Sequence, residues 1–147
     1  GLLAAGQHGS TFAGNPVCAA AALAVLRTIE SERLLDHVEA LGKHLATAIE
    51  DIGHPLISHV RGRGLLLGVV LIADLGPAAV AAALAAGFLI NAPAPDVLRL
   101  APPLTLTFEE ADSFVRALGP ILDAACTPTD LPTATTPVSA PTTKDGS

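Results

Sequence analysis

Arg99 is a lone cation in an otherwise apolar strip, Val97-Leu98-Arg99-Leu100-Ala101-Pro102-Pro103. If the strip is a strand, alternation puts Val97, Arg99 and Ala101 on one face and Leu98 and Leu100 on the other. A guanidinium in such surroundings needs a planar anion, and its fork fits a carboxylate in bidentate fashion. The anion is either a ligand carboxylate or a nearby Asp or Glu in a structural ion pair. A second stretch with chemical content opens the chain: Gly6-Gln7-His8-Gly9-Ser10-Thr11-Phe12-Ala13-Gly14-Asn15-Pro16. Its glycines let a backbone come close to a ligand, and Ser10 and Thr11 add uncharged donors. Leading straight into a helix N-terminus, such a loop suits a phosphate. The same residues also read as a Gly/Ser turn that caps a core helix.

Other chemistries find little support. The histidines at 8, 37, 44, 54 and 59 form no His-x-x-x-His pair and adjoin no carboxylate cluster. His37 and His44 are expected on an exposed helix, so a metal site is not expected. His8 belongs to the opening loop, where an imidazole can hydrogen-bond the backbone. Ser10 lacks the Gly-x-Ser-x-Gly setting of a nucleophile elbow. Gly62-Arg63-Gly64 opens no helix and so is no dinucleotide fingerprint. Arg61 and Arg63 read as solvated or paired, not catalytic. The formal net charge of -6 and the lack of a basic stripe speak against nucleic acid as a partner. The apolar run over 64–73 is too short to span a bilayer. Cys18 and Cys126 fit neither a metal spacing nor a disulfide framework, which suggests a reducing cytoplasm.

The elements that must position these residues follow from periodicity. Asn15 is a suitable N-cap and Pro16 suits the first helical position, starting a helix over 16–29. That helix is apolar nearly all round, as expected of one that is buried or at an interface. Ser31-Glu32-Arg33 interrupts it. A second helix over 33–52 repeats Leu34, Val38, Leu41, Leu45, Ala48 and Ile52 at helical spacing, with Glu39, Lys43, Thr47, Glu50 and Asp51 on its other face. Gly53-His54-Pro55 ends it. Strands are expected over 56–61 and 65–72, joined by a bend at Gly62-Arg63-Gly64 into an antiparallel hairpin. An Ala-rich helix over 76–86 is capped by Gly87, and Phe88-Leu89-Ile90 and Val97–Leu100 read as short strands. Asn91 sits in a two-proline approach to Arg99 and is expected to shape the site. A last helix starts after Thr107 at Glu109-Glu110, with Pro120 expected to kink or shorten it. Beyond Cys126 the chain turns to Thr, Pro, Ala and Ser and reads as a disordered tail. The expected class is α+β.

His8-Gly9-Ser10-Thr11-Phe12-Ala13-Gly14-Asn15-Pro16 and the helix after it resemble a segment of the class III pyridoxal-phosphate aminotransferases. Val97-Leu98-Arg99-Leu100-Ala101-Pro102-Pro103-Leu104 resembles a second signature of that family, and Arg61–Gly68 its strand-turn segment. Ala13 stands where the family more usually has glycine, which puts the loop's geometry in question. The resemblance covers residues 1 to about 125 and implies the C-terminal small domain of the fold-type I pyridoxal-phosphate transferase fold, with a helix leading out of the large domain. It implies that 1–30 end the large domain, that 31–125 form the small α+β domain, and that 126–147 lie outside both.

By the same resemblance Thr11 binds the phosphate of pyridoxal 5'-phosphate and Ser10 touches substrate, both acting in trans in a homodimer. Arg99 steers a substrate carboxylate. The Gly87–Asp96 passage and the Arg-Leu-Ala-Pro-Pro-Leu end are most similar to acetylornithine aminotransferases, which implies amino transfer from N2-acetyl-L-ornithine to 2-oxoglutarate in arginine biosynthesis. Ornithine or 4-aminobutyrate aminotransferases share the loop, and a non-catalytic small-domain remnant acting in protein association is the alternative from another class. The only lysines are Lys43, on a polar helix face, and Lys144, in the tail. Neither suits the Schiff-base lysine. The family places that residue upstream of the loop, so it is expected before Gly1, and no catalytic residue is expected within the chain. With Gly1 at its start and no Met, the chain is read as the back part of a longer protein, inactive alone.

Overall fold

A computed structural model of the chain describes Gly9 and residues 14–126. Gly1, His8, Ser10, Thr11, Ala13 and the Thr/Pro-rich tail over 127–147 lie outside the described residues. The expectation of a Schiff-base lysine upstream of Gly1 therefore lies outside them as well. The elements in order are α1 (Pro16–Ser31), α2 (Leu34–Asp51), β1 (Ile57–Arg63), β2 (Leu66–Leu71), α3 (Gly76–Ala85), β3 (Asn91–Ala94), β4 (Val97–Leu100) and α4 (Phe108–Ala125). The strands form one antiparallel sheet of order β1-β2-β4-β3. The class is α+β.

Leu67, Val69 and Leu71 of β2 and Leu98 and Leu100 of β4 share one core with Leu41, Leu45 and Ile49 of α2, Ala79 of α3, and Leu118 and Leu122 of α4. Their period of two on the strands and of three or four on the helices puts three helices on one face of the sheet. With so few aromatics, close approach is achieved by small residues. A Cβ on Gly42 of α2 would lie 2.2 Å from the backbone oxygen of Gly64, so only glycine lets the helix rest on the hairpin turn.

The helix boundaries reflect cap chemistry. Asn15 Oδ1 accepts from the amides of Val17 at 3.0 Å and Cys18 at 3.2 Å, with Pro16 at the first turn. Arg33 breaks α1 from α2 in the left-handed conformation, φ 51°, and its guanidinium pairs with Asp36 at 2.7 Å. Thr107 and Glu110 form a capping box at the start of α4: the Glu110 amide donates to Thr107 Oγ1, and the Thr107 amide donates to Glu110 Oε2. The bonds that Thr107 gives the Glu110 carboxyl, from its amide and then its hydroxyl, hold that carboxyl below its ordinary value.

Three expectations need correction. The hairpin turn is Gly64-Leu65, not a bend beginning at Gly62, because β1 continues through Arg63, which faces Leu66. Phe88-Leu89-Ile90 is not a strand. The ladder to β4 begins at Asn91, and Pro93, which cannot donate, is tolerated because β3 is an edge strand with an irregular register. Pro120 does not shorten α4, which runs to Ala125. Arg116 and Pro120 sit on its outer face, where water can serve the carbonyl that proline leaves unpaired, while Leu118, Ile121 and Leu122 hold the helix to the core. The all-round apolar α1, expected to be buried or at an interface, is exposed among the described residues. Val17 is 76% and Leu26 61% exposed, and no residue of the helix falls in the core.

Candidate carboxylate-binding face

The side of the sheet away from the helices holds the groups that sequence chemistry singled out. Register puts Arg61 of β1 opposite Gly68 of β2, Gly68 opposite Arg99 of β4, and Arg99 opposite Asn91 of β3. Directly paired residues share a face, so the four form one row across the sheet. Arg99 Nε donates to Asn91 Oδ1 at 2.9 Å, which fixes the guanidinium plane and leaves its terminal nitrogens outward. Among the described residues no Asp or Glu makes an ion pair with Arg99 or with Arg61. Of the two anions that the sequence left open for Arg99, the internal one is therefore not found here. An open cavity of about 370 Å³ lies over the row, with Leu66, Pro93 and Val97 around the two arginines.

An exposed, unpaired guanidinium held by a neutral amide is a ready receptor for a carboxylate. Asn91 orients it without neutralising it, as a carboxylate in that place would. Glycine at 68 keeps the floor between the arginines clear. A second cavity, of about 290 Å³, lies at the α4 end of the core among Phe88, Leu89, Ile90, Pro102 and Phe114. Its one acid, Glu110, is committed to the capping box, so it offers no free group for chemistry.

Other sequence candidates fall elsewhere. Ser10 and Thr11 are outside the described residues. The α1 N-terminus is closed by Asn15, which takes the first two free amides that an anion would use. Lys43 is engaged with Glu39 at 2.8 Å on the exposed face of α2, where its hydrogen bond and charge hold the Glu39 carboxyl below its ordinary value. His37 and His44 are half-buried and not exposed, because α4 packs over that side of α2. His37 Nε2 donates to the Leu106 carbonyl at 2.8 Å and His44 Nε2 to Asp112 at 2.7 Å, both rings edging Phe108. They bind α2 to α4. No group of three or more metal-ligating side chains occurs among the described residues.

Residues 1–122 match the family described as Aminotransferase class-III. The chain belongs to that family. It is 60% identical over 124 residues to the acetylornithine aminotransferase of Mycobacterium tuberculosis, a match that covers 84% of this chain and 31% of the relative. The fold is similar to a crystal structure of acetylornithine aminotransferase from Elizabethkingia anophelis, with a TM-score of 0.74 and 32% identity over 82% of this chain and 33% of that one. An ornithine aminotransferase from Toxoplasma gondii gives a TM-score of 0.74 at 32% identity, covering 84% of this chain and 30% of that one. The chain thus spans about a third of the length of the aminotransferases it matches.

Arg61, read from the sequence as solvated or paired, is exposed, and among the described residues it makes no ion pair. Its place in the row is a matter of register: a two-residue turn at Gly64-Leu65 sets it opposite Gly68, whereas a bend over 62–64 would set it opposite Leu65.

Proposed function

We propose that this chain is the part of an acetylornithine aminotransferase that closes the substrate side of the active site with its arginine-bearing sheet face. The reaction is N2-acetyl-L-ornithine plus 2-oxoglutarate to N-acetyl-L-glutamate 5-semialdehyde plus L-glutamate, a step of arginine biosynthesis in the cytoplasm. The observation that carries the reading is Arg99, held by Asn91 and without a carboxylate partner among the described residues, in a chain 60% identical to enzymes of that name. Its fork binds and orients a substrate carboxylate.

The described residues do not suffice to hold pyridoxal 5'-phosphate. Lys43 is paired and sits on the far side of α2 from the core, and the α1 amides are already capped. By the family resemblance, the proposed phosphate ligand is Thr11, with Ser10 on the substrate, each serving the partner subunit of a homodimer. When bound, the cofactor supplies the electron sink that makes removal of the amine feasible. Lys43, the lysine among the described residues, does not suit it; the Schiff-base lysine is assigned to the parent enzyme upstream of Gly1, and the chain alone is expected to be inactive. In this reading 1–30 end the large domain, 31–125 are the small C-terminal domain, and 126–147 belong to neither.

Replacing Arg99 by Lys in the full-length enzyme tests the assignment. Loss of a bidentate, charge-assisted contact is expected to cost about 1.5–3 kcal/mol, or roughly 10- to 100-fold in kcat/KM. Wild-type kinetics would make Arg99 structural. The likeness to the Toxoplasma gondii ornithine aminotransferase supports one rival donor, ornithine. Competition between acetylornithine and ornithine on the full-length enzyme separates the two.

A further inference from the structure

One residue's backbone turns α1 off the axis of α2. Glu32, which ends α1, lies at the border of helical space with φ -91° and ψ 1°, and α2 starts at Leu34. Arg33 between them sits at φ 51° and ψ 41°, and among the described residues it is the one non-glycine residue with positive φ. That conformation at a helix end usually falls to glycine, because a Cβ crowds the neighbouring carbonyl there. Ser31-Glu32-Arg33-Leu34 is polar but holds neither glycine nor proline, and its Glu, Arg and Leu are good helix formers. The bend also leaves backbone groups without helical partners. No side chain caps the start of α2, whose first amides would pair with the last carbonyls of α1 if the helix ran on. The ties that Arg33 does make fit either course of the chain. Its Nε and Nη2 donate to Asp36 Oδ2 at 2.9 and 2.7 Å, and its carbonyl accepts from His37 at 3.3 Å, spacings of three and four that a continuous helix keeps. Burial holds α2 through Leu34 but holds no residue of α1.

We propose that Arg33 is a two-state joint. In its left-handed conformation it bends α1 away from the α2 axis; in the right-handed one it joins residues 16–51 into a single helix. Straightening removes the penalty on a non-glycine residue at positive φ and pairs the amides of Leu34 and Leu35 with the carbonyls of Glu30 and Ser31. Against it stand only the contacts that α1 makes near the bend, since its apolar residues Val17, Leu23, Val25 and Leu26 are exposed. The joint sets how far the N-terminal end of α1 stands from the sheet face that bears Arg99, whatever ligand that face takes.

The experiment measures one distance by pulsed electron paramagnetic resonance on the whole chain. Nitroxide labels are placed on Cys18 of α1, which is exposed, and on Thr47→Cys on the exposed side of α2, with Cys126→Ser. In a continuous helix these Cα atoms stand about 44 Å apart at 1.5 Å per residue, and any bend shortens the span. Arg33→Gly, which takes positive φ freely and disfavours helix, is expected to give the short distance alone. Arg33→Ile, whose branched Cβ tolerates positive φ far less, is expected to move most of the distribution to the long one. Wild type should be mainly short with a minor long component. Wild-type distances in Arg33→Ile would show that packing, not Arg33, sets the bend, and a broad spread short of the long distance would show a loose hinge; either overturns the proposal. Should Arg33→Ile fail to fold, wild type against Arg33→Gly decides: the long component must be present in the first and missing from the second, and identical distributions overturn the joint.

Discussion

The two faces of the sheet are made of the same strands and serve opposite ends. On the helical face, Leu67, Val69, Leu71, Leu98 and Leu100 are buried against α2, α3 and α4, and the described residues contain no buried polar or charged side chain. On the open face, the intervening positions are Arg61, Gly68, Arg99 and Asn91, all left to solvent or half-exposed. One residue's shift along β4 separates a side chain that holds the fold from one that can hold a ligand. In the proposed reading, stability and recognition are thereby divided by strand parity, and substitutions on one face are expected to leave the other largely intact.

The sharpest way to break this division is to compare neighbours. Leu98 is 0% exposed, and Leu98→Ala is expected to destabilise the chain by about 3 kcal/mol through lost burial and a residual cavity. Urea unfolding measures it; a change below about 1 kcal/mol would show that the covered face is not the stabilising one.

A smaller effect is expected at the α4 cap. Thr107→Ala removes a capping-box oxygen and should cost about 1 kcal/mol in the same assay. It carries a pH signature. The Glu110 carboxyl is held below 4.5 in the folded chain, so its contribution is fully present above that pH and is lost as the pH falls through the lowered value. Wild type should therefore lose stability below pH 4.5 more steeply than Thr107→Ala, and identical acid limbs would rule out the box as the cause.

The smallest stability effect belongs to the open face. Asn91→Ala is expected to change unfolding by less than about 0.5 kcal/mol, since the bond it removes is exposed. In the full-length enzyme the same change should raise the KM for the carboxylate substrate several-fold, because Arg99 loses its orientation. A large loss of stability with unchanged KM would reverse the assignment of the two faces.

The contrast between α1 and α2 shows what periodicity can and cannot settle. In α2, apolar residues at three- and four-residue spacing indicate one buried face, and Leu34, Leu41 and Leu45 are buried as that pattern requires. In α1 the apolar residues run all round, which indicates that something must cover them without saying what. Within the described residues little does. Pro120 and the 88–90 segment depart from expectation for a related reason. Local propensity describes a residue alone, and the outcome depended on which side of α4 faced water and on where β3 found its partner.

What the amino-acid sequence determined by itself is local: the Asn15 and Thr107 caps, the glycine that ends α2, the hydrophobic stripes, the α+β class and the exceptional position of Arg99. These depend on interactions within a few residues, where side-chain chemistry and backbone geometry leave few choices. Only the tertiary structure decided that Arg61 and Arg99 share a row. That outcome required the turn to fall at Gly64-Leu65, β2 to lie between β1 and β4, and glycine to occupy the crossing. Each is a pairing between residues distant along the chain, and the free energy that selects it comes from burying the opposite face of the sheet.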